Sequence, residues 1–184
     1  QAQADYARER IQRAGLADRV EIRLEDYRDH DGRYDGVASI EMFEAVGEAY
    51  WPAYFGKIAS VLKSGSRAAL QIITIGDEFF DNYRKRADFI QRYIFPGGML
   101  PSEAALKAEL REAGLRHDGV QYFGHDYART LRLWSQRFNE AWPDILPMGF
   151  DEPFRRMWNF YLSYCEAGFI SGRINVGQFQ LSRP

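Results

Sequence analysis

Val37-Ala38-Ser39-Ile40-Glu41-Met42-Phe43-Glu44-Ala45-Val46-Gly47 is the stretch whose reading decides the fold. An apolar run ends abruptly in two carboxylates set among apolar neighbours. Residues 35–40 read as a buried strand, and from Ala45 the chain reads as a loop entering a helix over 48–62. In an open α/β sheet, ligands bind outside the carboxyl ends of the strands, which places Glu41 and Glu44 at the mouth of a site. A carboxylate among apolar groups is costly unless it is paired or used. The same two acids also suit the first turn of a helix, where they favour the dipole, so both readings stand at this point.

On the amino-terminal side, Ala4, Ala7, Ile11 and Leu16 recur at helical spacing, and the spacing predicts a helix over 2–14 closed by Gly15. Val20-Glu21-Ile22-Arg23-Leu24 alternates and reads as a strand, followed by the acidic turn Glu25-Asp26-Tyr27. On the other side, Gly65 breaks the chain and Arg67 to Thr74 reads as a third buried strand. Strand alternating with helix predicts a parallel, doubly wound sheet. Beyond it the pattern changes. Residues 77–93 read as one helix, and 94–101 as a rigid loop set by its Pro and Gly. Ser102 caps a helix to about Ala113, and 118–123 read as a strand. Two long aromatic helices follow over about 127–141 and 151–168, with Pro143 and Pro147 in the gap between them. Asn175 to Leu181 reads as a final strand at the sheet edge, antiparallel to its neighbour.

The 184 residues suit a single domain, 1–184. At 46% hydrophobic and 27% charged the chain can bury a core, and a net charge of −2 gives no argument for nucleic acid. One cysteine, Cys165, fits a reducing compartment, hence the cytoplasm, and its apolar helix makes it a structural thiol rather than a nucleophile. No apolar run is long enough to span a bilayer. The 13 Phe, 11 Tyr and 4 Trp fall mostly beyond the first sixty residues, as a large apolar pocket or a plain core would require. His30, His117 and His125 are scattered without metal-ligand spacing, so no metal is expected. Arg84, Lys85, Arg86 and Arg92 lie among Tyr83, Phe89, Ile90 and Tyr93, and Arg129, Arg132 and Arg137 recur on a later helix. Such groups either dock on anionic headgroups at the inner face of a membrane or form solvated helix faces.

Four segments in order carry a resemblance. They are Ser39 to Gly47, Tyr93 to Ser102 (Tyr-Ile-Phe-Pro-Gly-Gly-Met-Leu-Pro-Ser), Asp126 to Trp134 (Asp-Tyr-Ala-Arg-Thr-Leu-Arg-Leu-Trp), and Met157 to Phe169 (Met-Trp-Asn-Phe-Tyr-Leu-Ser-Tyr-Cys-Glu-Ala-Gly-Phe). Together they resemble the cyclopropane-fatty-acyl-phospholipid synthase family of S-adenosylmethionine-dependent methyltransferases, over essentially the whole chain. The resemblance implies an α/β fold: a Rossmann-like class I methyltransferase sheet with helical lipid-pocket elements over 77–113 and 126–170. It also implies the carboxyl-terminal part of such a catalytic domain. The first strands, the glycine-rich loop of close cofactor approach and a family cysteine are not among these residues. The expectation is that they precede the opening helix in the natural protein. A sheet without them presents an apolar edge, which invites pairing with a second copy in a homo-oligomer.

What the resemblance implies of activity is methyl transfer from S-adenosylmethionine to a cis double bond in membrane phospholipid acyl chains, giving cyclopropane or methyl-branched products. Attack by the alkene leaves a carbocation, so the site must exclude water and can use aromatic faces. In the family a bound bicarbonate is thought to act as base, held by a glutamate, a histidine, a backbone near an isoleucine, and a tyrosine. These positions carry over onto Glu44, Gln71, Ile73 and Tyr127. Gln71 is a departure, since an amide donates a hydrogen bond but carries neither charge nor proton near neutral pH. Like-charge repulsion beside a bicarbonate leads us to expect a raised pKa at Glu44. On the cofactor side, Asp26 is expected to accept from the adenine amine, with Glu25 and Ile40 flanking the ring. Two other readings remain: a small-molecule amine methyltransferase of the same architecture, and a non-catalytic binding domain.

Overall fold

A computed structural model describes residues 1–184, which divide into two compact units, Gln1–Gly32 and Arg33–Pro184. In the first unit, helix α1 spans Ala2–Arg13 and ends as its sequence predicts, with Gly15 at a φ of +66°, where only glycine is unstrained. The alternating residues 20–24 do not form a strand. A strand exists only through its ladder, and these five residues have no strand beside them to bond to.

The second unit is built on one four-stranded sheet, in the order β1-β2-β4-β3. Strand β1 is Tyr34–Ile40, β2 is Leu62–Ile75, β3 is Arg116–Tyr122 and β4 is Ile174–Ser182. β1 and β2 are parallel, whereas β4 runs antiparallel to both β2 and β3. The sheet is therefore mixed rather than all-parallel, and the last strand is interior rather than at an edge. Gly65 does not end the strand. It sits inside β2 at a φ of +78°, in an irregular stretch where the pairing jumps from Tyr34–Leu62 to Gly36–Arg67.

Helix α2, Trp51–Val61, joins β1 to β2. Residues 77–93 form two helices, α3 (Asp77–Tyr83) and α4 (Phe89–Tyr93), rather than one. The physical reason is Asp88, whose carboxylate accepts from the Gln91 N–H while the Gln91 side chain accepts from the Asp88 N–H. That capping box starts a new helix. Helix α5, Glu103–Glu112, begins where Ser102 Oγ accepts from Ala105 N. Helices α6 (Gly124–Glu140) and α8 (Glu152–Ile170) form the longest pair, with the one-turn α7 (Trp142–Ile145) between them.

Alternation along β2 sends Gln71 and Ile73 to one face, and Leu70 and Ile72 to the other, where both are buried. On the Ile73 face, Ala128 and Leu131 of α6 meet Leu162 and Phe169 of α8 and Val176 of β4. Helices α2 and α5 run against β2 and β3. α6 and α8 are also tied by polar groups: Asn139 donates to Asn159 at 2.7 Å, and Arg155 donates to Asn139 while stacking on Trp142. No helix is long and apolar enough to cross a membrane.

Candidate active site

Phe43 fixes the turn that leaves β1. Its ring is fully buried within 5.2 Å of the rings of Trp51, Tyr54 and Phe55, and each such aromatic pair adds about 0.5–1.5 kcal/mol beyond area burial. The anchored ring sits between Glu41 and Glu44 in sequence and sets where both carboxylates start.

Glu44 turns inward. Its Oε1 accepts from the backbone N–H of Ile73 at 2.6 Å, and its Oε2 is buried with no hydrogen-bond partner. Burial holds the Glu44 carboxyl above its ordinary range, opposed by the backbone N–H donors and reinforced slightly by the charge of Glu41. The direction is the expected one, but its leading cause is burial. The loop 94–101 closes over this residue: Met99 N donates to the Glu44 carbonyl at 2.9 Å, and a Cβ on Gly98 would stand 3.6 Å from that oxygen.

Glu41 turns the other way. It has a φ of +51°, the only non-glycine residue of the chain in the left-handed region. Such a conformation costs about 1–2 kcal/mol and is held by its surroundings. The backbone N–H of Glu41 donates to the Gln71 carbonyl at 2.9 Å, extending the β1–β2 ladder. Its Oε1 accepts from Gln71 Nε2 at 2.7 Å and from the Tyr127 hydroxyl. Gln71 Nε2 also reaches the Tyr127 oxygen at 3.0 Å, and Gln71 Oε1 accepts from Gln178 Nε2 at 3.1 Å, its register partner on β4.

Tyr127 sits in the first turn of α6, its ring edge-on to Phe123 and Phe169. Asn175 of β4 sets the start of that helix, since its Oδ1 accepts from Gly124 N at 3.0 Å. Tyr161 of α8 lies within the electrostatic reach of Glu41, and burial pushes its hydroxyl up to about 12, so it stays protonated. Trp158 and Phe95 stand against Tyr161, with ring centroids at 5.0 and 6.2 Å.

The structure thus brings Gln71, Ile73, Tyr127 and Glu44 to the same end of the sheet, and adds Glu41 and Gln178. The sequence places Glu41 at the mouth of the site but assigns it no working role. Its signal is an acid directly after an apolar run; that run forms the edge strand β1, which has no buried residue because only β2 lies beside it, so the expected buried strand is not found there, and the left-handed backbone of Glu41 is not legible in sequence. Gln178 could have been found as the alternate polar position of β4. His125 is exposed, and no hydrogen bond joins it to this cluster. The donors named for a bicarbonate are engaged by the chain's own carboxylates: Ile73 N by Glu44, and Gln71 and Tyr127 by Glu41. As they stand, these residues do not fit a further anion.

Glu25 and Asp26 lie in the first unit. Glu25 contacts His30 at 3.1 Å. Asp26 Oδ1 accepts from the Arg28 backbone and Nε, and Oδ2 accepts from Arg28 Nη2. Those bonds hold the Asp26 carboxyl down to about 2 and leave one acceptor position open on Oδ2. In the second unit, Ile40 is 59% exposed at the end of β1, an apolar surface that a flat ring can cover.

The family model of mycolic acid cyclopropane synthetase matches residues 1–179. The chain belongs to this family. Among members of the mycolic acid cyclopropane synthetase family, the tuberculostearic acid methyltransferase UfaA1 of Mycobacterium tuberculosis is 45% identical over 182 residues, covering 98% of this chain and 43% of the relative. The cyclopropane-fatty-acyl-phospholipid synthase of Escherichia coli K12 is 36% identical over 164 residues, covering 89% of this chain and 41% of the relative. The chain therefore spans less than half the length of these curated relatives. Among solved structures, mycolic acid cyclopropane synthase CmaA1 complexed with SAH and CTAB superposes with a TM-score of 0.85 at 25% identity, over 100% of this chain and 67% of that one. The fold is that of the class I S-adenosylmethionine-dependent methyltransferases.

Proposed function

We propose that the protein carrying this chain transfers a methyl group from S-adenosylmethionine to the cis double bond of unsaturated phospholipid acyl chains. The observation that carries this reading is the convergence of Glu44, Gln71, Ile73 and Tyr127, far apart in sequence, with a second carboxylate beside an aromatic wall. Kinship supports the substrate class. Two relatives are named for fatty-acyl products, and the CmaA1 structure holds SAH and the long-chain detergent CTAB.

S-adenosylmethionine supplies an electrophilic methyl group on a sulfonium. Within the second unit, the exposed apolar surface of Ile40 suits the face of its adenine ring. The other tasks fall to the side chains around β1 and β2. The half-buried Trp158 and Tyr161 give an aromatic wall that helps exclude water and offers π-faces to developing positive charge, worth about 0.5–2 kcal/mol per face. Glu44, held toward its neutral form, fixes Ile73 and the overlying loop. Tyr127 and Gln71 hold Glu41. Ring closure to a cyclopropane needs only the loss of one proton, whereas a saturated methyl branch needs, in its place, a net hydride from a separate reductant. Bicarbonate finds no free donor here, because Ile73 N is held by Glu44 and the Gln71 and Tyr127 donors by Glu41.

The exposed aromatic groups Tyr93, Phe95, Phe160 and Tyr164 lie in sequence near Lys85, Arg86 and Arg92 or on α8, and such a mixture suits peripheral contact with an anionic membrane. The reading is tested with methyl-labelled S-adenosylmethionine and vesicles of unsaturated or saturated phosphatidylglycerol. Label is expected in the acyl chains of the unsaturated vesicles alone. Label in neither, with transfer to a small amine, would replace it with the amine methyltransferase reading.

A further inference from the structure

Two carboxylates stand at the site, and they are not equivalent. Glu44 is half-buried with its Oε2 enclosed, its Oε1 bonded to Ile73 N and its carbonyl bonded to the 94–101 loop, so it is poorly placed to take up a proton and release it to solvent. Glu41 is exposed at the end of β1. Its Oε1 takes both donors, Gln71 Nε2 and the Tyr127 hydroxyl, and its Oε2 carries no hydrogen bond. Gln178 orients the Gln71 amide so that its N–H, not its oxygen, faces Glu41. A residue held at a φ of +51° against its own preference, with its carboxylate bonded by two other side chains, one of them oriented in turn by Gln178, is over-determined in the way working residues are.

We infer that Glu41 is the catalytic base of the reaction and occupies the place of a bound carbonate-type anion. The assignment rests on the methyl-transfer reading above. In the step, the alkene electron pair forms a bond to the methyl carbon, the carbon–sulfur bond breaks with its pair left on sulfur, and the neighbouring alkene carbon becomes cationic. Glu41 Oε2 then takes a proton from the transferred methyl group. The released carbon–hydrogen pair bonds to the cationic carbon and closes a three-membered ring; a methylene branch forms instead when a hydride first shifts from the methylated carbon to its cationic neighbour, which moves the cation next to the methyl group. Both outcomes are redox-neutral. The proton leaves Glu41 for water. The negative charge of Glu41 and the engaged donors of Gln71 and Tyr127 exclude bicarbonate, so the wild-type reaction does not require it.

The test uses Glu41→Gly and Glu41→Gln. Glycine is at home at this φ, so Glu41→Gly folds without strain, and it frees the Gln71 and Tyr127 donors. First, carbon-13-labelled bicarbonate is titrated and followed by NMR, a readout independent of turnover. Glu41→Gly is expected to bind it and the wild type is not; binding by the wild type, or by neither protein, overturns the inference. Second, methyl transfer to unsaturated phosphatidylglycerol vesicles is measured in bicarbonate-depleted and bicarbonate-supplied buffer. The wild type should be indifferent. Both variants should fall by ~100-fold when depleted, the scale of one general base. Glu41→Gly should recover with bicarbonate and Glu41→Gln should not. A wild type that slows on depletion, or a depleted Glu41→Gln as fast as wild type, overturns the base assignment while leaving methyl transfer standing. Absence of transfer by the wild type in either buffer overturns the methyl-transfer reading and the base assignment with it, and the titration then reports only whether Glu41 excludes an anion.

Discussion

Glu44 has a pH signature set by its burial. Burial raises its folded pKa above the unfolded value, so the folded state binds that proton more tightly. Its contribution is fully present below the unfolded pKa and is lost as pH rises through the folded one. Urea unfolding from pH 4 to pH 8 should therefore show the wild type losing stability relative to Glu44→Gln as pH rises; parallel curves would contradict this. Cys165 gives a second check. Burial, aided by the charge of Asp88, pushes its thiol up to about 12. It should resist iodoacetamide in the native protein at pH 8 and react once unfolded. Phe43→Ala should cost about 3–5 kcal/mol in denaturant unfolding, because it empties a site closed by three rings. Of these residues, Glu44 and Tyr127 were reached through motif resemblance. The role of Glu41 was not, because nothing in the composition of 37–47 says that the chain turns left-handed at a glutamate.

Between elements, the decisive joint is Asn175 of β4 on the first turn of α6. Phe123 provides no side-chain cap there, and the oxygen comes from a strand 52 residues later. Asn175→Ala should destabilise by about 1 kcal/mol, as loss of a helix cap does. It should also slow methyl transfer, since the same turn presents Tyr127. Gly124→Ala places a Cβ 2.5 Å from Asn175 Oδ1 and should act in the same direction. Full activity in both variants would separate the α6 start from the site. The sequence was legible here where signals are local. Ser102 as a cap, Gly15 as a stop and the strands at 35–40 and 67–74 follow from one or two residues each. The capping box at Asp88 and Gln91 is equally local, and it separates α3 from α4 where the apolar pattern over 77–93 runs on unbroken. Residues 20–24 have the right alternation but no ladder partner, and pattern alone cannot supply one.

For the whole molecule, alternation of strands and helices located the α/β class but not the direction of β4, because a strand's pattern does not say which way its neighbours run. The mixed order β1-β2-β4-β3 puts Gln178 beside Gln71 and so builds the site. Around it, Lys85, Arg86, Arg92, Tyr93 and Phe95 give an exposed basic and aromatic surface. Flotation with anionic vesicles should retain the protein at low salt and release it at high salt. Charge reversal at Lys85 and Arg86 should weaken retention by about 1 kcal/mol per residue removed. Salt-independent binding, or none, would contradict an electrostatic approach to the bilayer.

The most direct measurement of the central claim is mass spectrometry of acyl chains after incubation with trideuteriomethyl S-adenosylmethionine and monounsaturated phosphatidylglycerol vesicles. The account predicts one added methyl-derived carbon on the unsaturated chains that has lost a single deuterium, the isotope given up to the base. Unlabelled acyl chains would contradict methyl transfer to lipid, and label retaining every deuterium would contradict proton loss from the transferred methyl.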